Sequence, residues 1–113
     1  MGVGDAESVT GPARVTITYC TQCRWLLRAS WLAQELLSTF STEIDELVLR
    51  PGTGGVLRVE VAGDVAYDRA RDGGFPDLNA IKRFVRDRVA PDRKLGHIDR
   101  MIEESAAPAP MVD

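Results

Sequence analysis

Cys20-Thr21-Gln22-Cys23 holds the only two cysteines of the chain, and the hydrophobic period changes across it. Before it, Val15-Thr16-Ile17-Thr18-Tyr19 alternates with a period of two, with Val15, Ile17 and Tyr19 on one side and the threonines on the other. That stretch reads as a strand beginning at Arg14. After the cysteines, Trp25, Ala29, Leu32, Ala33, Leu36 and Phe40 recur at helical spacing, so Arg24 to Phe40 reads as one helix. Leu27 and Trp31 fall off that stripe, which leaves the helix apolar on more than one side. A strand that passes into a helix through four residues constrains everything downstream. If another strand follows, a right-handed crossover sets it parallel to the first.

Such a strand does follow, from Ile44 to Arg50. Pro51-Gly52-Thr53-Gly54-Gly55 is expected to end it, since proline interrupts the ladder and glycines permit a sharp turn. Val56 to Ala62 alternates again, with Leu57, Val59 and Val61 opposite Arg58 and Glu60. Gly63-Asp64 reads as a two-residue hairpin turn, and Val65 to Ala70 as the returning antiparallel strand. Pro76 suits the first position of a second helix and Asp77 its first turn, with Leu78, Ile81, Val85 and Val89 as its core stripe. Pro91 ends it, and Leu95 to Met101 reads as one more short helical turn. The order is β-α-β-β-β-α. It predicts an α/β fold of thioredoxin-like layout, a four-stranded mixed sheet with helices packed on it.

The length, 113 residues, fits one small domain. Residues 14–101 are assigned to that domain. Residues 1–13, Gly-rich with Asp5 and Glu7, and residues 102–113, an Ala/Pro tail, are expected to be disordered. Residues 1–13 have neither a basic n-region nor an apolar core, so no secretory signal is read there. A cytoplasmic location is expected. No apolar run approaches the roughly 20 residues of a membrane span. A net charge of −3 argues against nucleic acid as the partner. Lys82, Arg83, Arg86 and Arg88 on the second helix read as a solvated face diluted by Asp77 and Asp87.

Three chemistries compete for the cysteine pair. As a redox pair, Cys20 and Cys23 provide a thiolate nucleophile and a resolving thiol, with the helix N-terminus and Arg24 favouring the thiolate. As a zinc site, the chain offers two Cys and the distant His97, fewer than the four ligands a tetrahedral centre takes, so zinc would have to be shared between two subunits. As a structural pair, both sulfurs would be buried and inert. The placement of the motif before a helix favours redox chemistry. His97, in a turn after Gly96, reads as structural. Trp25 sits on the core stripe, whereas Trp31 is the candidate for a partly exposed patch.

The segment Val15 to Trp25 with its CxxC resembles the start of the Rdx family, the selenoprotein W/T/H-like proteins. Pro51-Gly52-Thr53-Gly54-Gly55, Gly73-Gly74-Phe75-Pro76-Asp77 and Leu95-Gly96-His97 follow in the order of its bacterial members. The resemblance implies a thioredoxin-like fold and thiol-based redox chemistry, with glutathione or a disulfide-containing protein as partner and no bound cofactor. Cys23 matches the position that is selenocysteine in some relatives. Cys20 is expected to be the more exposed sulfur and to attack first. Cys23, one turn into the helix, would then resolve the mixed disulfide. Where thioredoxins place a cis-proline, this chain has Thr53, Gly54 and Gly55. This loop is expected to approach the cysteines and bind a peptide or glutathione through its backbone, the alternative being a plain turn. The functional expectation is a thiol–disulfide oxidoreductase, monomeric or weakly dimeric. The rival is a redox-sensitive adaptor that does not turn over.

Overall fold

A computed structural model describes residues 13–96. Within them the chain forms β1 (Ala13–Cys20), α1 (Leu26–Thr39), β2 (Ile44–Gly52), β3 (Leu57–Val61), β4 (Asp64–Asp68), α2 (Arg69–Asp72) and α3 (Leu78–Val89). The strands make one sheet in the order β2-β1-β3-β4. β1 runs parallel to β2 and antiparallel to β3, and β3 runs antiparallel to β4. This is the expected thioredoxin-like sheet, and its central strand is the one that ends at the cysteines.

The alternation sorts the two faces. Val15, Ile17 and Tyr19 pair with Val61, Val59 and Leu57, and all six are buried. Ala29, Leu32, Ala33, Leu36 and Phe40 from α1, with Ile81 and Val85 from α3, join them in one core. Both long helices therefore cover the same face. On the other face Thr16 and Thr18 are also buried, flanked on β3 by Glu60 and Arg58. Arg58 pairs with Asp68 of β4 at 3.2 Å.

Several boundaries differ from those expected, each for a local reason. α1 begins at Leu26 because Arg24 has φ 60°, a left-handed conformation that a right-handed helix cannot include. β2 continues through Pro51 to Gly52. It is an edge strand, where a missing N–H need not break a ladder. The hairpin turn is Ala62-Gly63, both at positive φ, and Asp64 already pairs with Val61. β4 stops at Asp68, whose side chain accepts from the Ala70 N–H at 3.0 Å and caps the unexpected helix α2. Asp77 is the N-cap of α3 and accepts from the Asn79 N–H at 3.0 Å, so Pro76 precedes the helix. Lys82 is not on a solvated face; it is buried and donates to Glu35 of α1 at 3.1 Å. Ala13, assigned to the N-terminal segment, is the buried first residue of β1. Leu95 and Gly96 are not helical. The rest of that expected turn, His97, residues 1–12 and the 102–113 tail lie outside the described residues.

Candidate functional site

β1 delivers Cys20 to a position opposite Gly52 of β2. The chain then turns before α1 starts. The Arg24 N–H donates to the Thr21 carbonyl at 3.1 Å and the Trp25 N–H to the Cys20 carbonyl at 3.3 Å. Cys23 stands in that turn and its thiol donates to the Cys20 sulfur at 2.8 Å. Both cysteines are free. Cys20 is 0% exposed, whereas Cys23 is exposed. The expected order of exposure is thus reversed. Cys20 is the last residue of the central strand and shares the face of Thr16 and Thr18, away from the helix-side core. Cys23 has left the strand and precedes the helix instead of lying one turn inside it.

The pair is electrostatically asymmetric. The Cys23 hydrogen bond holds the Cys20 thiol below its usual value. Burial opposes this, and the backbone N–H groups of Gly55, Cys23 and Gln22 add to it. Cys23 is pushed up by its hydrogen bond to Cys20, by burial and by the Cys20 charge. Arg69 and the Gly55 N–H act in the opposite sense on Cys23. Both shifts follow from one contact, in which the Cys23 proton is directed at the Cys20 sulfur. Peptide N–H groups converging from a turn and a loop form an anion-holding concavity. On Cys23 the cation that favours the thiolate is Arg69, the part expected of Arg24.

Of the loop Thr53-Gly54-Gly55, the Gly55 N–H is the group that favours the thiolate of both cysteines. Gly54 and Gly55 have φ 76° and 78°, a paired left-handed turn that glycine adopts without steric cost. Thr53 is exposed and Gly54 faces open space. Gly52 matters for a different reason. Its carbonyl accepts from the Thr21 N–H at 3.0 Å and the Thr21 hydroxyl at 3.2 Å. A Cβ at position 52 would lie 3.0 Å from Val56 Cγ1 and 3.3 Å from Thr18 Cγ2.

A collar of rings and guanidinium groups flanks the pair. Trp25 meets Phe75 edge-on, with centroids 5.5 Å apart at 83°. The Arg69 guanidinium lies 5.0 Å from the Trp25 ring and 5.5 Å from Phe75, and Arg28 lies 3.9 Å from Phe75. Two contacts hold this collar in place. The buried Tyr67 hydroxyl donates to the Gly74 carbonyl beside Phe75, and Asp68 caps the helix that starts at Arg69. Burial raises the Tyr67 phenol above its ordinary value, which keeps it a donor.

A family model described as the Rdx family matches residues 14–87. The chain belongs to the Rdx family. It is 56% identical to a protein of Bordetella parapertussis known from a crystal structure, with a TM-score of 0.66, over 68% of this chain and 98% of that one. It is 45% identical to a selenoprotein W-related protein from Vibrio cholerae, also with a TM-score of 0.66, over 68% of this chain and 96% of that one. No curated protein matches it.

In this Rdx chain, Cys20, Cys23 and the glycine loop, all singled out in the sequence, lie at the same end of the sheet. The sequence did not single out Gly52, Arg69 or Phe75 as parts of the site. Phe75 was visible inside Gly73-Gly74-Phe75-Pro76-Asp77, where an aromatic residue flanked by turn formers has no core stripe to join. Arg69 had no such signal, because the helix that carries it was read as strand. Among the described residues, no three His, Cys, Asp or Glu side chains come together as a metal site would need. No described helix is long and apolar enough to cross a membrane.

Proposed function

We propose that this Rdx protein is a thiol–disulfide redox protein in which Cys23 attacks and Cys20 resolves. The observation that carries this reading is the pairing of an exposed sulfur with a buried one 2.8 Å away. A disulfide on another molecule can meet the exposed Cys23 sulfur. The adjacent Cys20 thiolate takes the Cys23 proton as that attack proceeds. Cys23 sulfur bonds to one sulfur of the substrate disulfide, and the other leaves as a thiolate that takes the proton from Cys20 and departs as a thiol, which restores the Cys20 thiolate. Cys20 then attacks Cys23 within the mixed disulfide, and the second substrate thiol departs. The balance is one protein dithiol and one substrate disulfide giving one protein disulfide and two thiols, a two-electron exchange. Glutathione or a second protein would return the oxidised pair to the dithiol, and the chemistry draws on no bound cofactor. The site residues in this reading are Cys20 and Cys23, with the Gly55 N–H holding the sulfurs and Thr53 and Gly54 on the exposed side of the loop where substrate backbone would lie.

An adaptor that docks a partner without turnover is the second reading, favoured by the exposed Leu27, Trp31 and Phe75. Trapping separates the roles and turnover separates the readings. Cys20→Ser should retain substrates as mixed disulfides on Cys23, and Cys23→Ser should retain none. The reverse pattern would assign the attack to Cys20. A wild-type protein that reduces no disulfide in the presence of a glutathione or thioredoxin regenerating system, yet binds its partner only when reduced, is an adaptor.

A further inference from the structure

Three basic side chains near the cysteines stand without an acidic partner, whereas several others on this molecule are paired. Arg14 pairs with Glu46, Arg88 with Asp64 and Arg93 with Glu43. Among the described residues Arg24, Arg28 and Arg69 have no carboxylate partner. Arg28 and Arg69 rest instead against the Phe75 ring. In a chain of net charge −3, these three arginines place unpaired positive charge on the side of the exposed sulfur. The same region exposes Leu26, Leu27, Trp31 and Phe75, with Leu27 82% exposed.

A small cleft of about 40 Å³ opens between Arg28, Trp31, Leu32, Phe75 and Pro76. Pockets that enclose a small-molecule ligand measure roughly 300–1,000 Å³. The cleft therefore suits the tip of one apolar side chain presented by a larger surface. Unpaired cations around an aromatic anchor point would attract and orient an acidic surface.

We propose that this collar is the docking surface for an acidic polypeptide segment, which seats one apolar side chain between Trp31 and Phe75 and so presents its own disulfide to Cys23. The inference rests on the thiol–disulfide reading and names the class of substrate: protein disulfides flanked by Asp or Glu. Arg28 selects the partner, with Arg24 and Arg69 contributing charge on the cysteine side.

The test uses the reduced full chain and three disulfide-linked peptides that share one sequence around the disulfide, with a leucine beside it, and differ only in Glu, Ser or Lys flanks. Second-order rates of reduction are measured at about 0.01 M and about 1 M salt, where the screening length falls from roughly 30 Å to 3 Å. The acidic peptide should react about tenfold faster than the basic one at low salt, with the gap closing at high salt. Arg28→Glu should narrow the gap severalfold, since Arg24 and Arg69 keep part of the charge. Lys94→Glu, the same charge change at an exposed lysine away from the collar, should leave the gap in place. The ratio of two rates in one preparation does not depend on the folded fraction. Equal rates for the three peptides, an acidic preference undiminished by Arg28→Glu, or oxidised glutathione outpacing every peptide would each overturn the docking surface while leaving the redox reading intact. If neither the peptides nor neutral 2-hydroxyethyl disulfide is reduced, the redox reading falls and the inference falls with it.

Discussion

Each sulfur of the Cys20–Cys23 pair sets the titration of the other, so deleting either should move its partner in a definite direction. Cys23→Ala removes the hydrogen bond that does most to stabilise the Cys20 thiolate. Thiolate absorbance near 240 nm should then rise at higher pH than the first ionisation of the wild type. Cys20→Ala removes both the acceptor and the charge that push Cys23 up. Its remaining influences include Arg69 and the Gly55 N–H, so the Cys23 thiolate should form at lower pH than in the intact pair. Shifts of the same sign in both variants would mean that the two sulfurs do not share a proton. At this scale the sequence pointed to the pair but not to the difference between its two sulfurs. Both cysteines stand in one short motif, yet one ends a strand and the other occupies a turn. The helix starts only after both, because Arg24 takes a left-handed conformation that no helical periodicity reveals.

The element that encloses Cys20 is the end of β2 with its glycine turn, and a single methyl group tests it. Ala at position 52 needs no positive φ, but its Cβ would press on Val56 and Thr18 at 3.0 and 3.3 Å. Overpacking of this kind typically costs about 1–3 kcal/mol. Gly52→Ala should lower the denaturation midpoint accordingly and push the loop away, taking the Gly55 N–H from the sulfurs. Cys20 should then become open to alkylation by iodoacetamide in the folded protein. Unchanged Cys20 labelling would show that the loop is not what shields it. Strand and helix identities were readable from period alone, because Val15, Ile17, Leu57, Val59 and Val61 are buried on one face as alternation requires. Boundaries were not. Pro51 reads as a stop in sequence, and it is harmless once β2 proves to be an edge, a property of strand order that local sequence does not carry. Helix α2 was missed because Arg69–Asp72 is a single turn held by Asp68, with no buried residue to give it a period.

At the scale of the whole molecule, stability and site geometry meet at Phe40. This ring is 0% exposed at the end of α1, where the chain turns back toward the sheet. Its carbonyl accepts from the Glu43 and Ile44 N–H groups, both at 3.1 Å, so the same residue packs the core and closes the crossover into β2. The Arg93 guanidinium lies 5.2 Å from the ring, tying the segment after α3 to the same point. The parallel pairing of β1 with β2 depends on this crossover, and that pairing sets Cys20 opposite Gly52. Replacing a buried phenylalanine by alanine costs about 3–5 kcal/mol. A domain of this size has roughly 4–13 kcal/mol in total, so Phe40→Ala should lose a large share of it and unfold at much lower urea. The site should weaken with the fold: in the fraction that remains folded, Cys20 should alkylate faster than in the wild type. A loss under 1 kcal/mol in urea titration would mean that α1 recloses over the missing ring, and the crossover would then not depend on that side chain.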